Sequence, residues 1–281
     1  MTADIKPSQF VLEHAPWSVS KADTAKECPK KFWFAYVVKE KRKTNVDALV
    51  GKAAHKALEY ALSGRSVSKS IDFAIEEYEL TSPEIERMWA FLPAMEHFLR
   101  KFRFYCEKHG THEPKLEQKL AVDLEGNIVK NFFDNENAFL RGVVDISVRF
   151  ASKPYGLVID HKTGRERTLR YYAKQFLAYQ ILLKAHHPEL TRIMSGVNWL
   201  KSDRIELGKF IDVPDVLALM NKFVAFLNEA TQDCTDFSVY RTSRLCDWCD
   251  YKSKCPAFSS GTNADVVDQT EKEERNQPGT A

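Results

Sequence analysis

The sequence predicts a mixed α/β fold preceded by an all-helical N-terminal region. Three observations predict it. Helical patterns fill the chain up to about residue 110, three strand-like runs follow, and a helix, two more strands and a last helix complete the order.

The elements follow in turn. Ser20 to Asp23 fits a capping box and opens a helix carrying Cys28 and the aromatic run Phe32, Trp33, Phe34 and Tyr36. Residues 47–62, DALVGKAAHKALEYAL, form a second helical segment, and helices over 66–80 and 82–108 complete the region, the latter with Pro83 in its first turn. KLEQKLAVDL then alternates as a strand. FLRGVVDISVRF is another and GLVIDHKTG a third, with SKPYG as the turn between the last two. A long helix spans about 168–186 and is stopped by Pro188. RIMSGVNWLKS and ELGKFIDV are two further strands, and Asp212 caps a helix that runs to about Thr231. The expected organisation is a helical region over 1–110 with Cys28 and His55, a core over 111–232, a cysteine segment over 233–258 packing back on Cys28, and a disordered polar tail over 259–281.

Composition bounds the function classes. With 281 residues, 44% hydrophobic and 28% charged, the chain can bury a sizeable core. A net charge of +2 gives no global basic field, so a nucleic acid must be held by a local patch. The N-terminus lacks an apolar stretch flanked by positive charge, and no run approaches the roughly 18 apolar residues of a membrane span. The expectation is a soluble, cytoplasmic protein with no membrane partner, in a bacterial cell or, if phage-encoded, its host. Six cysteines are then not a disulfide framework.

The chemistry lies in two carboxylates and a lysine. Asp145 interrupts the apolar strand Gly142-Val143-Val144-Asp145-Ile146, and Asp160 ends the strand Leu157-Val158-Ile159. A charge inside such a run is costly unless it is paired or binds metal. Adjacent antiparallel strands would bring both together, and Lys162 shares a strand face with Asp160. Phosphodiester hydrolysis needs an activated water and stabilisation of charge on the phosphate, which Mg²⁺ or Mn²⁺ on oxygen ligands supplies. A nearby lysine orients or deprotonates the water, or stabilises the transition state. Asp-x-Lys at a strand end is common by itself, so further residues matter. His55 follows Gly51 at a spacing of four on a helix, Gln175 and Tyr179 are one turn apart on another, and Glu117 is a strand carboxylate outside any conspicuous motif.

Together these residues resemble the RecB-like branch of the PD-(D/E)xK nucleases over about Ser18 to Phe258. Leu49-Val50-Gly51-Lys52-Ala53-Ala54-His55 is similar to the family's histidine block, and Gly142-Val143-Val144-Asp145 to its first acidic block. Ile159-Asp160-His161-Lys162-Thr163-Gly164 is similar to the D-x-K-T-G block, and Gln175-Phe176-Leu177-Ala178-Tyr179 to the Q-x-x-x-Y helix. The resemblance implies a restriction-endonuclease-like core: a mixed sheet flanked by helices. It implies His55, Asp145, Asp160 and the carbonyl of His161 as ligands of Mg²⁺ or Mn²⁺, and Lys162 as the catalytic lysine. Gln175 and Tyr179 would steady the site or touch DNA, and Glu117 would correspond to a carboxylate some members carry on the preceding strand.

Cys246, Cys249 and Cys255 form C-x2-C-x5-C, a spacing that favours a soft metal centre, and Cys28 is the candidate fourth ligand ahead of Cys106 and Cys234. Spacing alone leaves zinc and iron–sulfur open. The layout of one cysteine before the core and three after it resembles the AddB-type and CRISPR-associated exonucleases, which implies a [4Fe–4S] cluster. Such a cluster would staple residue 28 to residues 246–255.

For DNA, the candidate contacts are Lys30 and Lys31, within a run of seven basic residues from Lys26 to Lys43, and Arg165 and Arg167 beside Lys162. No base-reading module is evident, so binding is expected to be sequence-independent. The implied function is an exonuclease on single-stranded DNA or DNA ends, in recombination, repair or replication. No G-x-x-x-x-G-K-[ST] loop is present, so a helicase or recombination partner would supply unwinding. A catalytically silent DNA-binding subunit, a zinc-stapled interaction protein and RNA as the substrate are the competing readings.

Overall fold

The computed structural model describes residues 5–41 and 45–259. Arg42 and Lys43 of the basic run, and the tail expected beyond residue 259, lie outside them. Among the described residues no helix is long and apolar enough to cross a membrane.

The chain divides into two compact units. The first comprises Ala15–Ser18 and residues 45–223; the second comprises Ile5–His14, residues 19–41 and residues 224–259.

The first unit holds a six-stranded mixed sheet in the order β1 (Lys115–Val122), β2 (Leu140–Arg149), β3 (Tyr155–Lys162), β4 (Arg192–Trp199), β5 (Arg204–Leu207), with β6 (Ile211–Asp212) also on β4. The pairs β1–β2, β2–β3, β4–β5 and β4–β6 are antiparallel, whereas β3–β4 is parallel. Parallel neighbours need a crossover, and the helix Ala173–His186 (α8 in chain order) supplies it. That requirement brings Gln175 and Tyr179 over the sheet.

The helices before the sheet are α1 (Gln9–Glu13), α2 (Val19–Glu27), α3 (Pro29–Phe32), α4 (Val46–Leu62), α5 (Val67–Glu77), α6 (Ser82–Trp89) and α7 (Leu92–His109); α9 (Val216–Thr231) and α10 (Pro256–Ser259) follow it. In the first unit, Val50, Ala53, Ala54, Ala57 and Leu58 of α4 and Phe98, Leu99 and Phe102 of α7 share a core with Ile146, Val148, Leu157 and Ile159 of the sheet. Small alanines let α4 lie close to the strands. Gly51 extends this, since a Cβ there would stand 3.2 Å from Thr163 Oγ1, just past the end of β3.

The expected class, a mixed sheet with flanking helices behind a helical N-terminal region, is the one observed. Several boundaries differ, each for a local reason. α2 begins at Val19, so Ser20 lies within its first turn and its carbonyl accepts from Thr24 Oγ1. The single helix expected through Cys28 and the aromatics is broken. α2 ends at Glu27, Cys28 is extended, and Pro29 starts α3, which runs into a wider helical turn over Trp33–Val37. The helix expected over 82–108 is two, because Pro93 cannot continue α6 and instead occupies the first turn of α7. A short 3₁₀ turn, Leu169–Tyr172, precedes α8 in place of its expected first turn. ELGKFIDV is not one strand but the end of β5 and the whole of β6. Asp212 sits in β6 and pairs with Arg192, while Asp215 accepts from Ala218 N–H at 2.8 Å at the start of α9.

Candidate active site

Strand register sets the site. Leu116 pairs with Ile146 and Gln118 with Val144, so Glu117 lies across from Asp145. Ile146 pairs with Ile159, and the next rung brings Asp145 across from Asp160. Three carboxylates therefore stand in one row over β1, β2 and β3. Asp145 replaces a ladder bond there, since its Oδ2 accepts from the His161 backbone N–H at 2.7 Å.

From α4, His55 reaches the same place. Its Nδ1 lies 3.4 Å from Asp145 Oδ2 and 3.9 Å from Glu117 Oε1, and its Nε2 is 3.0 Å from the His161 carbonyl. Donor atoms of His55, Glu117 and Asp145 all fall within 4.8 Å of one another. Asp160 stands beside them, 2% exposed. Its Oδ1 accepts from Gln175 Nε2 and from Tyr179 OH, each at 2.7 Å, and Gln175 also donates to Tyr179 OH at 2.7 Å. Its buried Oδ2 receives no well-directed hydrogen bond and meets the Lys162 ammonium at 2.6 Å as an ion pair.

The electrostatics follow from crowding like charges in a dry place. Burial, then the Asp160 charge, raises the Asp145 carboxyl well above its ordinary value. Burial and Asp145 hold Glu117 up at about 7. Burial keeps the His55 imidazole below its ordinary range, hence neutral and able to ligate. Burial also works against the Lys162 charge, but the adjoining Asp160 outweighs it and keeps the ammonium protonated.

The donor set fits a hard divalent cation: carboxylate oxygens of Glu117 and Asp145, the neutral His55 imidazole and the His161 carbonyl converge. All the residues expected here from sequence, His55, Asp145, Asp160, His161, Lys162, Gln175 and Tyr179, come together. Glu117 joins them although no motif marks it; its signal is its register against Asp145. Asn198 also belongs to the site, with no motif to mark it in the sequence. It is 1% exposed on β4 and its Nδ2 lies 3.1 Å from His161 Nδ1, anchoring that ring on the other side of β3. An asparagine inside the apolar run Gly196-Val197-Asn198-Trp199 was the available clue.

The second unit contains the cysteine constellation. Cys28, Cys246, Cys249 and Cys255 line one cavity of about 100 Å³ with Phe34, Arg241 and Tyr251. Two 3₁₀ turns, Arg244–Trp248 and Lys252–Lys254, fold the three C-terminal cysteines close together. Tyr251 stacks on Phe34 with ring centres 5.1 Å apart and donates to the Glu40 carbonyl at 3.3 Å. Arg241 binds the Lys26 carbonyl, and Lys254 pairs with Glu40. Burial raises the Cys255 thiol, and Cys28, Cys249 and Cys246 push the same way. Cys234 is an ordinary core residue, its thiol pushed up to about 11 by burial; Cys106 is half-buried in the first unit. Lys30 and Lys31 lie at this cavity, Lys30 over the Trp33 ring at 4.1 Å and Lys31 paired with Glu27 at 2.9 Å. Arg165 and Arg167 lie on the exposed segment after β3.

A mixed sheet with an acidic row, a neighbouring lysine and a histidine makes a candidate divalent-metal site. Over residues 16–256 the sequence matches the model of the PD-(D/E)XK nuclease superfamily, and the chain belongs to that superfamily. Among solved structures, a protein of Eubacterium rectale provisionally named an exonuclease is similar over 88% of this chain and 93% of that one, at 12% identity and a TM-score of 0.45. The protein SSO0001 is similar over 89% of this chain and 96% of that one, at 14% identity and a TM-score of 0.31. No curated protein matches.

Proposed function

We propose that this nuclease is a metal-dependent DNA exonuclease acting on single strands or DNA ends. The observation that carries the reading is the row of Glu117, Asp145 and Asp160 across three adjacent strands with the Lys162 ammonium at its end. His55, Asp145, Asp160 and the His161 carbonyl would hold Mg²⁺ or Mn²⁺, with Glu117 close enough to join them. The cation, when bound, acidifies a water and neutralises phosphate charge. The chain's own residues do the rest. Gln175 and Tyr179 fix one oxygen of Asp160 and Lys162 holds the other, so the carboxylate would be preset to serve a bound cation. Lys162 offers its charge to the phosphate oxygens as the bond breaks. Substrate ends would come from recombination, repair or replication, with a helicase or recombination protein as partner.

The four cysteines around one cavity support a [4Fe–4S] cluster in the second unit, with zinc as the competing occupant. Four soft sulfur donors in a pocket roofed by the Phe34–Tyr251 stack fit such a group. Its role is a staple: it would tie residue 28 to residues 246–255 and add binding energy to folding. The sequence-based division, with a nuclease core over 111–232 and a cysteine segment over 233–258, is the working map for truncations.

The test is cleavage of end-labelled single-stranded DNA by anaerobically purified protein with Mg²⁺ or Mn²⁺, beside Asp160→Ala. Metal-dependent shortening from the label, absent in the variant, supports the reading. Internal cuts would make it an endonuclease. No cleavage of single strands, duplexes or RNA by folded, cofactor-loaded protein would replace it with a silent DNA-binding subunit.

A further inference from the structure

We propose that the segment joining β3 to α8 is the binding surface for a single strand, with Tyr171 stacking one unpaired base and Arg165, Arg167 and Arg170 holding flanking phosphates. The proposal rests on the nuclease reading above and names what its site grips.

Two contacts pin the segment. Glu166 pairs with Arg204 of β5, and Leu169 packs so near Gly208 that a Cβ there would stand 3.6 Å from its Cδ1. The exposed charged side chains of this segment all carry the same sign. Arg165, Arg167 and Arg170 are exposed, and among the described residues none of them pairs with a carboxylate, although both units are well supplied with acids.

The two tyrosines divide the work. Tyr172 is buried, and the Lys162 ammonium lies 5.3 Å from its ring centre. Tyr171 is 66% exposed, and its ring meets that of Tyr172 edge to face at 5.1 Å. The Arg167 guanidinium lies 5.3 Å from the Tyr171 ring centre, which restrains the ring without covering it. An open aromatic ring thus stands two ring contacts from the candidate catalytic lysine. Leaving it in water forfeits the free energy that burial of its face would give.

A base supplies such a cover, and the three guanidinium groups select a polyanion. Bases in a duplex already stack on each other, so only an unpaired nucleotide has a free face to offer. The surface therefore favours single strands and frayed ends, without regard to sequence.

The test is binding of short single-stranded oligonucleotides carrying 2-aminopurine at successive positions, with no divalent metal, so that nothing is cut. Strong quenching at one position is expected. In Tyr171→Ala that quenching is lost and binding weakens about tenfold, while Tyr171→Phe keeps both. A blunt duplex of equal length binds parent and Tyr171→Ala alike. Each arginine replaced by alanine lowers the salt dependence of binding by about 0.7 in log–log slope. Unchanged quenching in Tyr171→Ala, equal losses on single strand and duplex, or no binding of single strands at all would each overturn the proposal. Because cleavage is not read, failure of the nuclease reading shows separately, in the comparison with Asp160→Ala.

Discussion

Glu117 faces Asp145 across the β1–β2 pair with its backbone in the left-handed region, at φ 45°. An L-residue with a side chain is strained there by about 1–2 kcal/mol. In an ordinary strand alanine is better than glycine; at this position the order reverses. Glu117→Gly is expected to be more stable than Glu117→Ala by about 1 kcal/mol, with both losing most activity. Urea unfolding measures the first and gel assays the second. An alanine variant as stable as the glycine variant would remove the strain from the account.

The carboxylate row makes metal binding pH-dependent. The Glu117 carboxyl is raised from 4.5 to about 7 by burial and Asp145. Between those values the folded chain holds a proton that the unfolded chain has released, so the metal-free protein loses stability as pH rises through that window. A divalent cation competes with that proton. The rise in Tm on adding Mg²⁺ or Mn²⁺ should therefore be small near about pH 5 and reach several degrees near about pH 8. Scanning fluorimetry across pH decides it. A shift independent of pH would place the cation away from these acids.

Asp160, Gln175 and Tyr179 should behave as a unit. Asp160→Ala removes the carboxylate and is expected to lower kcat by at least about a thousandfold while DNA binding persists. Tyr179→Phe removes one of two donors to Oδ1 and leaves Gln175 in place. It should weaken metal affinity about tenfold and act less than additively with Gln175→Ala. Metal titration of turnover measures both, and full additivity would show that the two residues act separately.

Protein purified without oxygen should carry about four iron and four sulfide per chain. Cys28→Ser and Cys249→Ser should lose that content and melt earlier, whereas Cys106→Ser keeps both, since Cys106 lies in the other unit. One zinc per chain and no sulfide would replace the cluster with a zinc site.

Much of the site was legible because its chemistry forces rare patterns. An aspartate inside an apolar strand, an Asp-x-Lys at a strand end and a Gln and Tyr one helical turn apart are conspicuous by themselves. Spacing of two in β3 and four in α8 already puts Asp160 with Lys162, and Gln175 with Tyr179, on shared faces. The fold class was legible for the same reason, since periodicity survives without knowledge of neighbours. Asn198 was not, and Glu117 was marked by the family resemblance alone, because a single polar residue becomes meaningful only when another strand lies beside it. The breaks at Pro29 and Pro93 were written in the sequence but competed with strong helical periodicity on both sides.

By itself, then, the sequence determined the order and class of the main elements, the paired motifs and the cysteine spacing, all set by interactions within a few residues. Tertiary structure alone decided the rest. Register across three strands aligned Glu117, Asp145 and Asp160, and the parallel β3–β4 pair required the crossover that delivers α8 to Asp160. Close packing of α4, permitted by Gly51 and its alanines, carried His55 to the His161 carbonyl. These are long-range contacts, and their partners are chosen by packing and hydrogen bonding in three dimensions, which no local pattern encodes.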